Sequence, residues 1–163
     1  MLPYVVAIDP GTTESGVCIV RTEDYKPLDF VKIRNEDVCD WVFDYHRYPY
    51  KLVIEMVASY GMPVGREVFE TCVWIGRFIE QLKTKDGYEF IYRQEEKLII
   101  CHSPKATDAT IRQALADRFA PGQPNFGKGT KKNPGFFYGF SKDVWQSFAV
   151  ATTYIDKRKG EEE

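Results

Sequence analysis

Three carboxylates stand where chemistry can be done. Asp9 ends the β-branched run Tyr4-Val5-Val6-Ala7-Ile8 and is followed by a turn shaped by Pro10, Gly11 and Gly16. Glu55 ends a second short apolar run, Lys51-Leu52-Val53-Ile54. Asp143 falls in the first turn of the last helical pattern, just after Ser141. Taken singly, the three read as a turn former, a solvated strand end and a partner for a helix dipole. Taken together, with no organic-cofactor motif nearby, they are hard oxygen donors suited to Mg²⁺ or Mn²⁺. Two such ions, roughly 3.5–4 Å apart, can clamp an in-line phosphoryl displacement.

The elements that must position these acids follow from hydrophobic periodicity. Strand-like runs at 3–9, 15–21 and 28–33, joined by short turns, predict an antiparallel meander. Asn35 resembles a helix N-cap, and the pattern continues to about Arg47 with Val38, Trp41, Val42 and Tyr45 buried. Tyr48-Pro49 stops it. A helix before the run at 51–55 permits a crossover, so that run can lie parallel to the first strand and bring Glu55 to the sheet edge that carries Asp9. A helix is predicted from Arg66 to Lys83, with Val68, Cys72, Ile75, Ile79 and Leu82 on one face. Tyr88 to Tyr92 reads as a fifth strand, while residues 94–101 fit helix or strand. Ser103-Pro104 marks a helix start, with Ile111, Leu115 and Phe119 as the buried row. Residues 121–140 read as a flexible loop, and Ser141 caps a last helix that buries Val144, Phe148, Ala151 and Ile155. Lys157 to Glu163 is expected to fray. The fold class is α/β: one domain over residues 1–163, with three antiparallel strands, then two parallel ones, in a mixed five-stranded sheet flanked by helices.

Composition narrows the partners. The chain has 163 residues, 44% hydrophobic and 28% charged, which describes a folded domain rather than a disordered one. Its net charge of -2 carries no global signature of nucleic-acid binding, so the location of charge matters more than its sum. From Arg118 to Lys142 there are five basic residues (Arg118, Lys128, Lys131, Lys132, Lys142) and no acid. No apolar run approaches the length of a membrane span, and no signal-peptide core is visible. Cys18, Cys39, Cys72 and Cys101 are widely spaced in apolar segments, which points to free thiols in a reducing cytoplasm.

The ordered set resembles the ribonuclease H-like nuclease superfamily, and within it the RuvC-type Holliday junction resolvases, above all the compact forms of bacteriophages and their hosts. The resemblance rests on Ala7-Ile8-Asp9-Pro10-Gly11 with Ser15-Gly16, on Val53-Ile54-Glu55, on Glu96-Lys97-Leu98-Ile99-Ile100 through Ala106 to Leu115, and on Asp143-Val144-Trp145-Gln146-Ser147-Phe148-Ala149-Val150-Ala151. It implies a metal-dependent endodeoxyribonuclease that nicks branched DNA as a homodimer, with the helix beginning at Arg66 as the interface. Asp9 would be the carboxylate shared by two metal ions, Glu55 and Asp143 further ligands, and Lys97 a basic residue near the scissile phosphate.

The chain also departs from that pattern. Gln146 stands where the family places a second acid on the closing helix; it shares a face with Asp143 but supplies no charge. Asp108 takes the place of a basic residue, for which Lys105 could substitute. Ala58 replaces an aromatic wedge, leaving Tyr60 as the nearest stand-in. DNA contact is expected from Lys128, Lys131 and Lys132, with Arg66 and Arg112 as further candidates, and Phe136, Phe137 and Tyr138 are placed to stack on bases or to pack. Other readings are a broader flap or fork nuclease, a branched-DNA-binding protein that does not cleave and, through Asp9-Pro10-Gly11-Thr12-Thr13, an actin-like nucleotide-binding protein.

Overall fold

A computed structural model describes residues 1–163. Five strands form one sheet in the order β3-β2-β1-β4-β5, where β1 is Tyr4–Asp9, β2 Glu14–Arg21, β3 Pro27–Arg34, β4 Tyr50–Met56 and β5 Tyr88–Tyr92. The first three pair antiparallel, as their short turns require. β4 and β5 join in parallel, each after a helical crossover. Pairing of Ile8 with Ile54 sets Asp9 and Glu55 at the same end of adjacent central strands. β1, β2 and β4 are buried on both sides, which explains their near-continuous apolar runs.

Helices cover both faces. α5 (Lys142–Glu162), α4 (Asp108–Phe119) and α3 (Arg93–Cys101) pack on one, with a core of 21 buried residues including Val5, Val53, Leu115 and Phe148. α1 (Val38–Tyr45) and α2 (Arg66–Leu82) cover the other, around 13 buried residues including Val6, Ile54, Ile75 and Phe78.

Several expectations need correction. The first helix is split into a 3-10 turn over Asn35–Asp37 and the short α1, and Asn35 is a buried hydrogen-bonding hub rather than an N-cap. Tyr45 is exposed. On α2 the buried stripe is Thr71, Ile75, Phe78 and Leu82, so the face is turned slightly from the predicted one. Residues 93–101 are helix. Ser103-Pro104 begins a turn, and α4 starts later, where Thr107 and Thr110 cap each other reciprocally. The segment 121–140 is not a flexible loop. It is a tight fold with backbone bonds such as Gly135 N–H to the Lys128 carbonyl (3.0 Å) and Phe137 N–H to the Gly127 carbonyl (2.9 Å), and it buries Phe137 and Phe140. The tail does not fray: α5 runs to Glu162. Asp156 accepts from Arg118 and Tyr25, and Lys157 and Arg158 reach Glu95 and Glu89.

Candidate active site

The turn after β1 is held by its own side chains. The Ser15 hydroxyl accepts from the Gly11 N–H (3.3 Å) and donates to Asn35 Oδ1 (2.6 Å). Asn35 Nδ2 in turn donates to the Gly11 carbonyl (2.9 Å). Every member of that loop has a partner, so Asp9 is delivered from a rigid strand end. The Gly11 N–H is thereby occupied, which leaves it unavailable for a nucleotide phosphate.

Asp143 arrives from the opposite direction. The first turn of α5 rests on β2 at Gly16, where a Cβ would collide with the Asp143 backbone carbonyl. Only glycine permits that approach. The Asp143 carboxylate then turns outward to Lys32 Nζ (2.5 Å), and Lys32 also faces Glu14 at 3.6 Å.

The interior of the site is more acidic than the sequence suggested. Asp9 and Glu55 lie within hydrogen-bonding reach of each other, and Glu96, fully buried on α3, sits next to Glu55. Burial, reinforced by Glu55, holds the Asp9 carboxyl well above the usual carboxylate range. Burial raises Glu55 as well, against the opposing pull of Asp9, Arg93 and Gln146. Burial and the neighbouring Glu55 push Glu96 up to about 8. Two fixed groups offset this charge. Arg93 Nη1 contacts Glu96 at 2.7 Å and Glu55 at 4.0 Å, and its other nitrogen pairs with Asp108. Gln146 Nε2 donates to Glu96 (2.7 Å) and more loosely to Glu55 (3.4 Å).

Glu96 and Arg93 are the two groups that sequence reasoning missed. Their signal was the i, i+3 spacing of opposite charges on one helix face, masked because residues 94–101 also fitted a strand.

The donors are all oxygen, and Oε1 of Glu96 is buried without a hydrogen-bond partner. That chemistry fits a hard divalent cation. No three of the acids form a ready-made cage, and Asp143 is paired with Lys32. Asp9, Glu55 and Asp143 are the residues that could hold such ions once Asp143 leaves Lys32, and a half turn of the Gln146 amide would offer its oxygen.

The other sequence candidates scatter. Arg112 lines the same cleft as Asp9, Glu55, Asp143 and Gln146, together with Lys142. Tyr60, exposed and in the left-handed region (φ 48°), borders a shallow hollow with Asp9, Glu55 and Arg93. Lys97 follows Glu96 on α3 but lines neither cleft. Lys105 is exposed before α4. Arg66 is exposed at the start of α2 and pairs with Glu70 (2.5 Å). Lys131 and Lys132 are exposed at the tip of the 121–140 segment, and Lys128 is half-buried at its base.

No protein-family model matches the chain, and no curated protein matches it in sequence. Solved structures do. RuvC of Thermus thermophilus in complex with a Holliday junction substrate aligns with a TM-score of 0.66 at 14% identity, over 96% of this chain and 96% of that one. A second Thermus thermophilus RuvC structure aligns with a TM-score of 0.63, also at 14% identity and over 96% of both chains. The match runs through all five strands and the flanking helices, so the chain has the ribonuclease H-like α/β fold of RuvC.

Proposed function

We propose that the protein is a metal-dependent, structure-selective endodeoxyribonuclease that nicks branched DNA, with the four-way junction as its main substrate. The observation that carries this reading is that Asp9 and Glu55, at one end of adjacent strands, line a single cleft with Asp143 and Gln146 and have the buried Glu96 of α3 beside them. The RuvC fold and the Holliday junction bound by the Thermus thermophilus protein support the choice of substrate.

Asp9, Glu55 and Asp143 would hold Mg²⁺ or Mn²⁺, two per site, with Gln146 as a neutral donor. When bound, the ions supply an activated water and neutralise the leaving oxygen. The protein's own groups prepare that state. Asp9 and Glu55, both held above the usual carboxylate range, would have to ionise to take the ions, and Asp143 would have to leave Lys32. Arg93 keeps Glu55 and Glu96 in place while the charge rearranges. Lys97, on α3 outside the cleft, would approach the scissile phosphate only from its edge. Arg66, Lys105, Arg112, Lys128, Lys131 and Lys132 contribute backbone contacts, which position DNA without reading sequence. Tyr60 stands in for the wedge at the branch point.

A four-way junction is nearly two-fold symmetric, and two matched nicks need two sites. We infer a homodimer through α2, on which Phe69 and Val73 are 62% and 57% exposed beside Met62 and Val64. The setting would be the cytoplasm of a bacterium or a phage-infected host. No helix is long and apolar enough to cross a membrane.

One observation favours a second reading, a branched-DNA binder without cleavage: the Gln146 amide presents N–H groups, not oxygen, to Glu55 and Glu96. Labelled four-way junctions, flaps and linear duplex incubated with Mg²⁺ or Mn²⁺ decide between them. Paired nicks in the junction are expected, and Asp9→Asn should lower their rate at least about a hundredfold while leaving the fold intact. Tight binding with no nick in either metal would select the second reading.

A further inference from the structure

Two hollows meet at the acids. One is a cleft of about 520 Å³ that also takes in Asp108, Arg112 and Gln146. The other runs past Val57, Tyr60 and Val68. Asp9, Glu55 and Arg93 are the residues common to both. Arg112 and Lys142 border the first hollow alone, and Lys97 borders neither. A phosphate brought over Asp9 and Glu55 from either side therefore passes Arg93, whose side chain is 21% exposed and open to contact.

The two ends of that guanidinium are held differently. Nη1 contacts Oε2 of Glu96 at 2.7 Å, and Glu96 is fully buried. Nη2 pairs with Asp108, whose side chain is 67% exposed. The inner tie, to a buried carboxylate, fixes the group in place. The outer tie, to a carboxylate in solvent, is weak and exchangeable. Asp108 stands in the first turn of α4, where the helix end favours a carboxylate with or without Arg93. A planar guanidinium offers the same paired N–H geometry to a carboxylate and to a phosphate.

We propose that Arg93 takes a non-bridging oxygen of the phosphate to be cut, and that Asp108 holds the place of that phosphate until DNA displaces it. The proposal rests on the nuclease reading above and adds to it a catalytic cation on α3 and a built-in competitor on α4. With Nη1 still tied to Glu96, the guanidinium is aimed before the substrate arrives. Nη2 then offsets negative charge as it builds on the phosphoryl oxygens.

The test is a double-mutant cycle on binding. Affinity for a labelled four-way junction is measured with Ca²⁺ replacing Mg²⁺ to hold off turnover. Asp108→Asn should tighten binding about fivefold, because the competing anion is gone. Arg93→Gln should weaken it about tenfold and lower the slope of log affinity against log salt by about 0.9. In the Arg93→Gln background, Asp108→Asn should change affinity by less than about twofold. A methylphosphonate, which removes the charge of one phosphate, is then moved around the branch point, and at one position wild type and Arg93→Gln should bind alike. Circular dichroism checks the fold. If Arg93→Gln does not fold, Arg93→Lys, which keeps the charge but not the fork, should weaken binding at least about threefold. The proposal is overturned if Asp108→Asn acts equally in both backgrounds, which is long-range charge alone, or if Arg93→Gln matches wild type in affinity and slope on a junction that wild type nicks. It is also overturned if no methylphosphonate erases the difference. A junction that wild type neither binds nor nicks would remove the nuclease reading, and this proposal with it.

Discussion

The two faces of the sheet are built to different standards. On the α5 face, Phe119, Phe136, Phe137, Phe140 and Phe148 interlock around Trp145, with ring centroids 4.3–6.4 Å apart, and the segment 121–140 seals the edge. On the α2 face the core is smaller, and Phe43, Phe69 and Val73 point to solvent. Glu96, Arg93, Asp143 and Gln146 all come from the well-sealed face, while Tyr60 and Val68 border the site from the other side. The difference teaches a division of labour: one face is closed so that it can hold a strained acidic cluster, and the other is left unfinished, as a face would be that a second copy completes.

The largest expected effect breaks the sealed face. Phe148→Ala removes a fully buried ring and should cost about 3–5 kcal/mol, read by urea denaturation. Phe69→Glu, with the same ring deleted from the opposite face, should stay within about 0.5 kcal/mol. In the proposed α2 dimer it should instead shift sedimentation from dimer to monomer, and a wild type that sediments as a monomer would remove that interface. Equal stability losses at the two positions would erase the contrast.

A second measurement probes the strain in the acidic cluster. Folding raises the proton affinity of Glu96 from its ordinary 4.5 to about 8, through burial and then Glu55. Between those values the folded chain binds the extra proton and the unfolded chain does not. The stability that Glu96 contributes is therefore fully present below about pH 4.5 and is lost as pH rises toward 8. Thermal melts without divalent ions should show Tm falling across that window, with Asp9 adding in the same direction. Glu96→Gln should flatten the fall, and Mg²⁺ should do so in the wild type. A Tm that rises across the window would contradict this account.

The smallest effect concerns Lys32. Its pair with Asp143 is half-exposed, so it is worth no more than about 1 kcal/mol. Lys32→Met should lower the Mg²⁺ concentration for half-maximal nicking, by up to about fivefold. An increase would mean that Lys32 positions Asp143 rather than competing for it.

Much of the fold was legible because the central strands advertise themselves. β1, β2 and β4 are buried on both sides and so read as unbroken apolar runs, each closed by a polar residue or turn. That pattern by itself places Asp9 and Glu55 on one edge. Asp143 was visible through Ser141 and the helical row behind it. What stayed hidden depends on partners remote in sequence. Glu96 is buried only because Gln146 and Arg93 satisfy one of its oxygens, and no local pattern marks a buried glutamate. The tail looked like solvated charge until Glu89, Glu95 and Arg118 supplied its counter-ions. Ser103-Pro104 had the composition of a helix start, but the reciprocal hydroxyls of Thr107 and Thr110 did the capping. In 121–140, glycine and proline suggested mobility, whereas Gly127 and Gly135 are there because the backbone crosses itself too closely for a side chain.

Seating α5 on Gly16 makes that helix a lever about 31 Å long, with Asp143 at its fulcrum and Asp156, Lys157 and Arg158 near its free arm. Its far end is tied down by ion pairs, Asp156 to Arg118, Lys157 to Glu95 and Arg158 to Glu89. Between the two ends Ser147–Ile155 are buried, so the helix is seated along its whole middle and Asp143 is held by the packing of the core as much as by its own turn. Removing the outer ties should therefore cost little stability and leave that seat in place.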